Sequence, residues 1–75
     1  MSLFLETIRI ENGRLHNLAY HIRRMLKTAD YAGLKFPGQF PASFLESLDL
    51  PREGLFRLRL IYSSCIEKYE IIPYP

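Results

Sequence analysis

Cysteine is nearly absent from this 75-residue chain: Cys65 stands alone, so no intrachain disulfide can brace the fold as it does in many small secreted domains. A cytosolic location is the expectation this sets. No apolar run approaches the roughly 18 residues that a membrane-spanning helix needs, and the N-terminus lacks the basic-then-apolar pattern of an export signal, so neither insertion nor secretion is expected. Charge of one sign is scarce as well. Ten Lys+Arg against eight Asp+Glu leave +2, an excess that suits a phosphate but does not demand nucleic acid. The length excludes a multidomain enzyme and leaves room for one small core across residues 1–75. What is present is 48% hydrophobic and 24% charged residues, the balance of a folded piece rather than a disordered tail.

Along the chain, residues 3–10 (LFLETIRI) are rich in strand-favouring types. Phe4, Ile8 and Ile10 share one parity, and Leu5, Thr7 and Arg9 the other. Asn12-Gly13 tolerates positive φ and is a strong hairpin signal, so residues 15–18 are expected to return as a second strand. The period then changes. Leu18, Ile22, Met25, Ala29 and Ala32 recur at three- and four-residue spacing, which predicts an amphipathic helix of about four turns with Asn17 as N-cap and Gly33 as its stop. Residues 35–41 (KFPGQFP) read as a loop, and residues 43–48 as one or two helical turns ended by Leu50-Pro51. Residues 54–63 alternate cleanly, with Phe56, Leu58, Leu60 and Tyr62 on one face and Leu55, Arg57, Arg59 and Ile61 on the other. A turn at residues 64–68 would lead to a last strand at 69–74, limited by Pro73. The layout is α+β: an antiparallel sheet of about four strands with one main helix, in the order β-β-α-(short α)-β-β. The second sheet face would gather Arg57, Arg59 and, if the registers cooperate, Arg9 among apolar side chains, and such a face invites a ligand or another domain.

Generic sites do not assemble. His16, His21 and Cys65 match no zinc spacing, no G-x-S-x-G elbow accompanies the serines, and no phosphate-binding glycine loop occurs. No metal site and no catalytic residue is therefore assigned.

One constellation does stand out. Leu5-Glu6-Thr7-Ile8-Arg9, the turn at Gly13, His21-Ile22-Arg23-Arg24-Met25 and Arg57-Leu58-Arg59-Leu60-Ile61-Tyr62 follow one another in order. Together they resemble the start of the class IV aminotransferase family, the pyridoxal-phosphate (PLP) enzymes of fold type IV that include branched-chain and D-amino-acid aminotransferases and aminodeoxychorismate lyase. Members look like this at the N-terminus: an F-E-[TGS]-[IM]-R strand, a turn with Gly, an H-x-x-R-[LM] helix and, in several branches, an R-x-R strand. By that resemblance Arg24 would bind the cofactor phosphate, and a guanidinium suits the task because its planar fork meets a dianion and stays charged. Arg59, with Arg57 and Arg9, would face the substrate carboxylate. Two arginines at i and i+2 on one strand face repel unless an anion or acidic partner lies between them. His21, three residues before Arg24 and on the same helix face, is read as packing the helix on the sheet.

The family's Schiff-base lysine lies in a second, larger domain. Lys27, Lys35 and Lys68 do not stand in such a context, so the chain is expected to be inactive alone. The sequence ends in or just after a strand, which the resemblance makes the small N-terminal domain of a two-domain enzyme without its C-terminal PLP-binding domain. The implied parent acts on an amino acid or an aminodeoxychorismate-type substrate and is commonly dimeric. The alternative is a small binding module whose Arg/aromatic sheet face takes single-stranded nucleic acid or an acidic protein, for which Phe56, Tyr62, Tyr69 and Tyr74 would supply stacking. A homodimer through the exposed face is a third expectation.

Overall fold

The computed structural model describes residues 3–74. Strand β1 (Phe4–Glu11) turns through Asn12 and Gly13 into β2 (Arg14–Leu15). Both turn residues have positive φ, 49° and 82°, the pair of values that a two-residue type I′ turn requires. The Asn12 side-chain oxygen accepts from the Gly54 amide at 3.0 Å, and the Asn12 amide donates to the Gly54 carbonyl at 2.9 Å. The hairpin tip is thereby tied to the start of β3 (Leu55–Tyr62), which pairs antiparallel with β1 along its whole length. Strand β4 (Ile66–Pro73) completes a sheet of order β2-β1-β3-β4, with helix α1 (Leu18–Ala32) and the single turn α2 (Ala42–Glu46) between β2 and β3 in the chain. The α+β class and the succession of elements are those the sequence predicts.

The core lies between the helices and one sheet face. Ile8 and Ile10 from β1, Leu58, Leu60 and Tyr62 from β3, Met25 from α1 and Leu45 from α2 are buried together. Each such side chain contributes about 1.5–3 kcal/mol relative to leaving it in water. Residues 35–41 are a loop as expected, and it is an apolar cover: Phe36 packs edge-on against Phe40 at 4.6 Å between ring centroids and also meets Tyr62. α1 ends as predicted at Gly33, in the left-handed conformation at φ 72°. The Leu34 amide donates to the Ala29 carbonyl and the Gly33 amide to the Asp30 carbonyl, the paired closure of a Schellman motif.

Five expectations are corrected. The return strand is β2 at Arg14–Leu15 rather than 15–18, because Asn17 takes the left-handed conformation and turns the chain into the helix. For the same reason Asn17 occupies the N-cap position without making a side-chain capping bond. The short helix is Ala42–Glu46 rather than 43–48. β4 begins at Ile66 rather than 69, since the tight turn closed by the Ser63 amide on the Cys65 carbonyl (3.0 Å) leaves the following residues opposite β3. Its Glu67, Lys68 and Glu70 carry no apolar alternation, yet an edge strand needs only a neighbour for its backbone and water for its charges. Ala32, expected on the buried helix face, is exposed.

Candidate functional site

On β1 the buried parity reads Phe4, Glu6, Ile8, Ile10. A carboxylate therefore stands in the apolar line, and α1 crosses above it. Glu6 is 4% exposed, a position in which an uncompensated charge is costly. The helix supplies the compensation. His21 Nδ1 lies 2.5 Å from Glu6 Oε2, and Arg24 Nε lies 3.4 Å from Glu6 Oε1. A carboxylate can only accept, so the imidazole donates from Nδ1. His21 thus fastens the helix to the sheet, as its position suggested, and it does so through an acid that the motif analysis named without assigning a role. The signal was present in the parity, which sets Glu6 in line with two isoleucines.

Arg24 is held on one side and open on the other. Its side chain is 58% exposed, and it lines a cleft of about 410 Å³ with Tyr20, Arg23 and Lys27. Its interaction with the Tyr20 hydroxyl oxygen, which accepts, and then the Glu6 charge hold its guanidinium above the ordinary arginine pKa, so the group is a permanent cation. Tyr20, Arg23, Arg24 and Lys27 follow the three- and four-residue steps that bring helix side chains together. The cleft is thus walled by three cations and a phenol, with the Glu6 carboxylate buried behind Arg24. Its chemistry is that of a site for a compact anion such as a phosphate monoester. Lys27, exposed on the helix, is part of this wall.

The opposite sheet face carries the other arginines, and the registers do bring Arg9 to them. Arg9 pairs with Arg57 across β1 and β3, and Thr7 with Arg59; beyond them Ile72 and Glu70 continue the two rows on β4. Like charges directly opposite one another are unfavourable, and two of the three arginines are relieved within the chain. Arg9 reaches Glu11 at 3.4 Å and Arg59 reaches Glu70 at 3.4 Å. Among the described residues Arg57 meets no such carboxylate: its Nε is buried without a hydrogen-bond partner, and its guanidinium carbon stands 5.5 Å from the Tyr74 ring centroid, within cation–π range. Arg57 is accordingly the member of the trio left to meet an external acceptor, ahead of Arg59.

Arg24 and the arginine trio do not converge. Arg24 works from the helix layer, where Glu6 faces it, whereas Arg9, Arg57 and Arg59 share the parity of β1 and β3 that points the other way. Of the aromatics offered as a stacking platform, Tyr62 is buried in the core, Phe56 packs against that core, and Tyr69 shares its parity and stacks on Phe44. Tyr74 alone stays beside the arginines.

The remaining candidates are scattered. His16 lies 3.2 Å from Glu11, His21 contacts Glu6, and Cys65 contacts Glu67; among the described residues no group of three metal-ligating side chains forms. The hydrogen bond to Glu67 pushes the exposed Cys65 thiol up. Lys68, expected in a turn, belongs to β4 opposite Ile61. Another groove, of about 470 Å³, is lined by leucines of β2, α1, α2 and the segment after α2 together with Gly13, Arg14 and Arg52; Arg9, Arg24, Arg57 and Arg59 do not line it. No helix among the described residues is long and apolar enough to cross a membrane. Comparison with protein-family models, with curated proteins and with solved structures finds no match.

Proposed function

We propose that this chain acts as the small domain of a PLP-dependent enzyme of the class IV aminotransferase kind, a transaminase or an aminodeoxychorismate lyase. In this reading Arg24 binds the cofactor phosphate, and the Arg57-centred sheet face receives the carboxylate of an amino acid or aminodeoxychorismate-type substrate. The observation that carries it is the Arg24 cleft: a guanidinium paired with Glu6, with Tyr20, Arg23 and Lys27 beside it, has the charge and the planar donors that a phosphate monoester needs. The residues at hand fit the phosphate of PLP and offer no free acid for its ring nitrogen, because Glu6 is already engaged by His21.

When bound, PLP supplies an electron sink for carbanion chemistry. This chain's share is binding and orientation: Arg24 anchors the phosphate, His21 and Glu6 secure the helix that carries Arg24, and Arg57 presents donors to a carboxylate. Because the two anion sites lie on opposite sides of the sheet, they serve one cofactor–substrate pair only around a sheet edge or in an assembly. A further domain holding the lysine, or a second copy, belongs to the reading for that reason, as does a cytosolic location.

The test is titration of the chain with PLP and with pyridoxal, which lacks the phosphate. PLP is expected to bind and pyridoxal not to, and Arg24→Ala is expected to abolish the difference. Equal behaviour of the two compounds would sink the reading. Borohydride treatment with PLP should leave no lysine labelled stoichiometrically. A full label on Lys27, the lysine beside Arg24, would show instead that the chain holds PLP covalently by itself.

The rival reading of a nucleic-acid or acidic-protein module draws on Arg57, Arg59 and Tyr74. Salt-dependent retention on a single-stranded oligonucleotide, lost in Arg57→Ala/Arg59→Ala, would favour it.

A further inference from the structure

We propose that Glu6 is a positioning residue for the anion site: buried in the sheet and clamped by His21, it takes Arg24 by Nε so that the guanidinium edge in the cleft is fixed for a phosphate group. This rests on the reading of the cleft as a phosphate site and adds the element that would make it selective.

Glu6 is an acid in the apolar row of β1, a place where a leucine or isoleucine would serve the core better. Its two oxygens are divided between the two basic side chains that α1 places one turn apart, His21 on Oε2 and Arg24 on Oε1. His21 is itself largely buried, with 14% of its side chain exposed, so the carboxylate cannot swing toward solvent without breaking the shorter contact. Arg24 places Nε at ion-pair distance, 3.4 Å, from this fixed acceptor, and Tyr20 one turn earlier on the helix lines the cleft beside it. A free arginine loses side-chain entropy when it binds an anion. One already held in place loses less, which is the gain of preorganisation.

Simple electrostatics predicts the reverse. A carboxylate 3.4 Å from the binding arginine should weaken anion binding, so replacing it with a neutral group should strengthen binding. The sign of the effect therefore separates positioning from charge.

The experiment is a titration with inorganic phosphate, followed by NMR on the ¹⁵N-labelled chain at fixed ionic strength. The Arg24 Nε–Hε signal of the unliganded protein is the structural readout. For Glu6→Gln we expect phosphate affinity to fall about tenfold, the scale on which removing an orienting partner weakens a metal ligand, and the Hε signal to join those of freely exposed arginines. Arg24→Lys keeps the charge on an exposed side chain but has no Nε to offer Glu6, and it leaves the Glu6–His21 contact alone. It should lose phosphate binding to a similar degree, and it decides the matter if Glu6→Gln does not fold. Equal or tighter binding in Glu6→Gln, or undiminished binding in Arg24→Lys, overturns the positioning role. Failure of the parent chain to bind phosphate overturns the underlying site, while its Arg24 Hε signal still reports whether Glu6 holds the side chain.

Discussion

The two faces of the sheet handle charge differently. On the helix side a single acid, Glu6, is buried, and two bases from α1 converge on it. On the open side Arg9, Arg57 and Arg59 crowd together, and among the described residues acids meet the outer two only. The first arrangement is closed around Glu6, whose buried charge is answered from within the fold, while Arg24 keeps its other side open to the cleft. Among the described residues the second leaves a buried Arg57 Nε without an acceptor, an atom that a partner's oxygen would satisfy. A closed cluster is what holds a helix on a sheet, and an open one is what a ligand or partner completes.

Substitutions can break or sharpen that contrast. The largest effect is expected from the apolar frame that both faces share. Leu60→Ala at a fully buried position should cost about 2–5 kcal/mol, a large share of the stability of so small a domain, read as a fall in the denaturant midpoint. Next comes the closed face. Glu6→Ala removes the acceptor of both bases and should destabilise the fold by about 1–3 kcal/mol; a loss no greater than that of an exposed Glu46→Ala would show that the cluster does not secure the helix.

Alkali probes the same face more gently. Burial, with the Glu6 charge adding to it, pushes the Tyr62 phenol up, against a hydrogen bond from Thr28 and the Arg24 charge. A raised value in the folded state means that the neutral phenol contributes stability below about pH 10, the ordinary tyrosine value, and that this is lost as pH rises through the folded value. Stability should therefore fall in that alkaline range, and Tyr62→Phe should flatten the fall. The smallest effect belongs to the open face. Arg57→Gln removes a like charge directly opposite Arg9 and should be neutral or stabilising by about 0.2–1 kcal/mol, whereas Arg59→Gln should gain less because Glu70 already relieves Arg59. Clear destabilisation by Arg57→Gln would mean that Arg57 is a structural residue.

Much of this was legible in particular residues. The alternation from Phe56 to Tyr62 specified both the strand and its buried face, and Asn12-Gly13 specified the turn, because local backbone preference decides both. β4 was legible only in part, since a charged edge strand takes its structure from its neighbour. Arg24 and the arginines of β3 could be named as candidates from their types and spacing. That Arg9 faces Arg57 depended on register, and that Glu6 sits beneath His21 and Arg24 depended on how α1 crosses β1, neither of which is a local property.

By itself, then, the sequence determined the periodicities, the hairpin tip, the helix stop and the two chemical characters of the sheet, because each follows from steric and solvation preferences within a few residues of chain. Only the tertiary structure decided which charges are answered. Among the described residues Arg59 meets Glu70 while Arg57 meets no acid, and Glu6 becomes the anchor of Arg24, because these pairs form where packing and strand register bring side chains within a few ångströms, at sequence separations that no local pattern encodes, unlike Arg9 and Glu11, which are neighbours on one strand face.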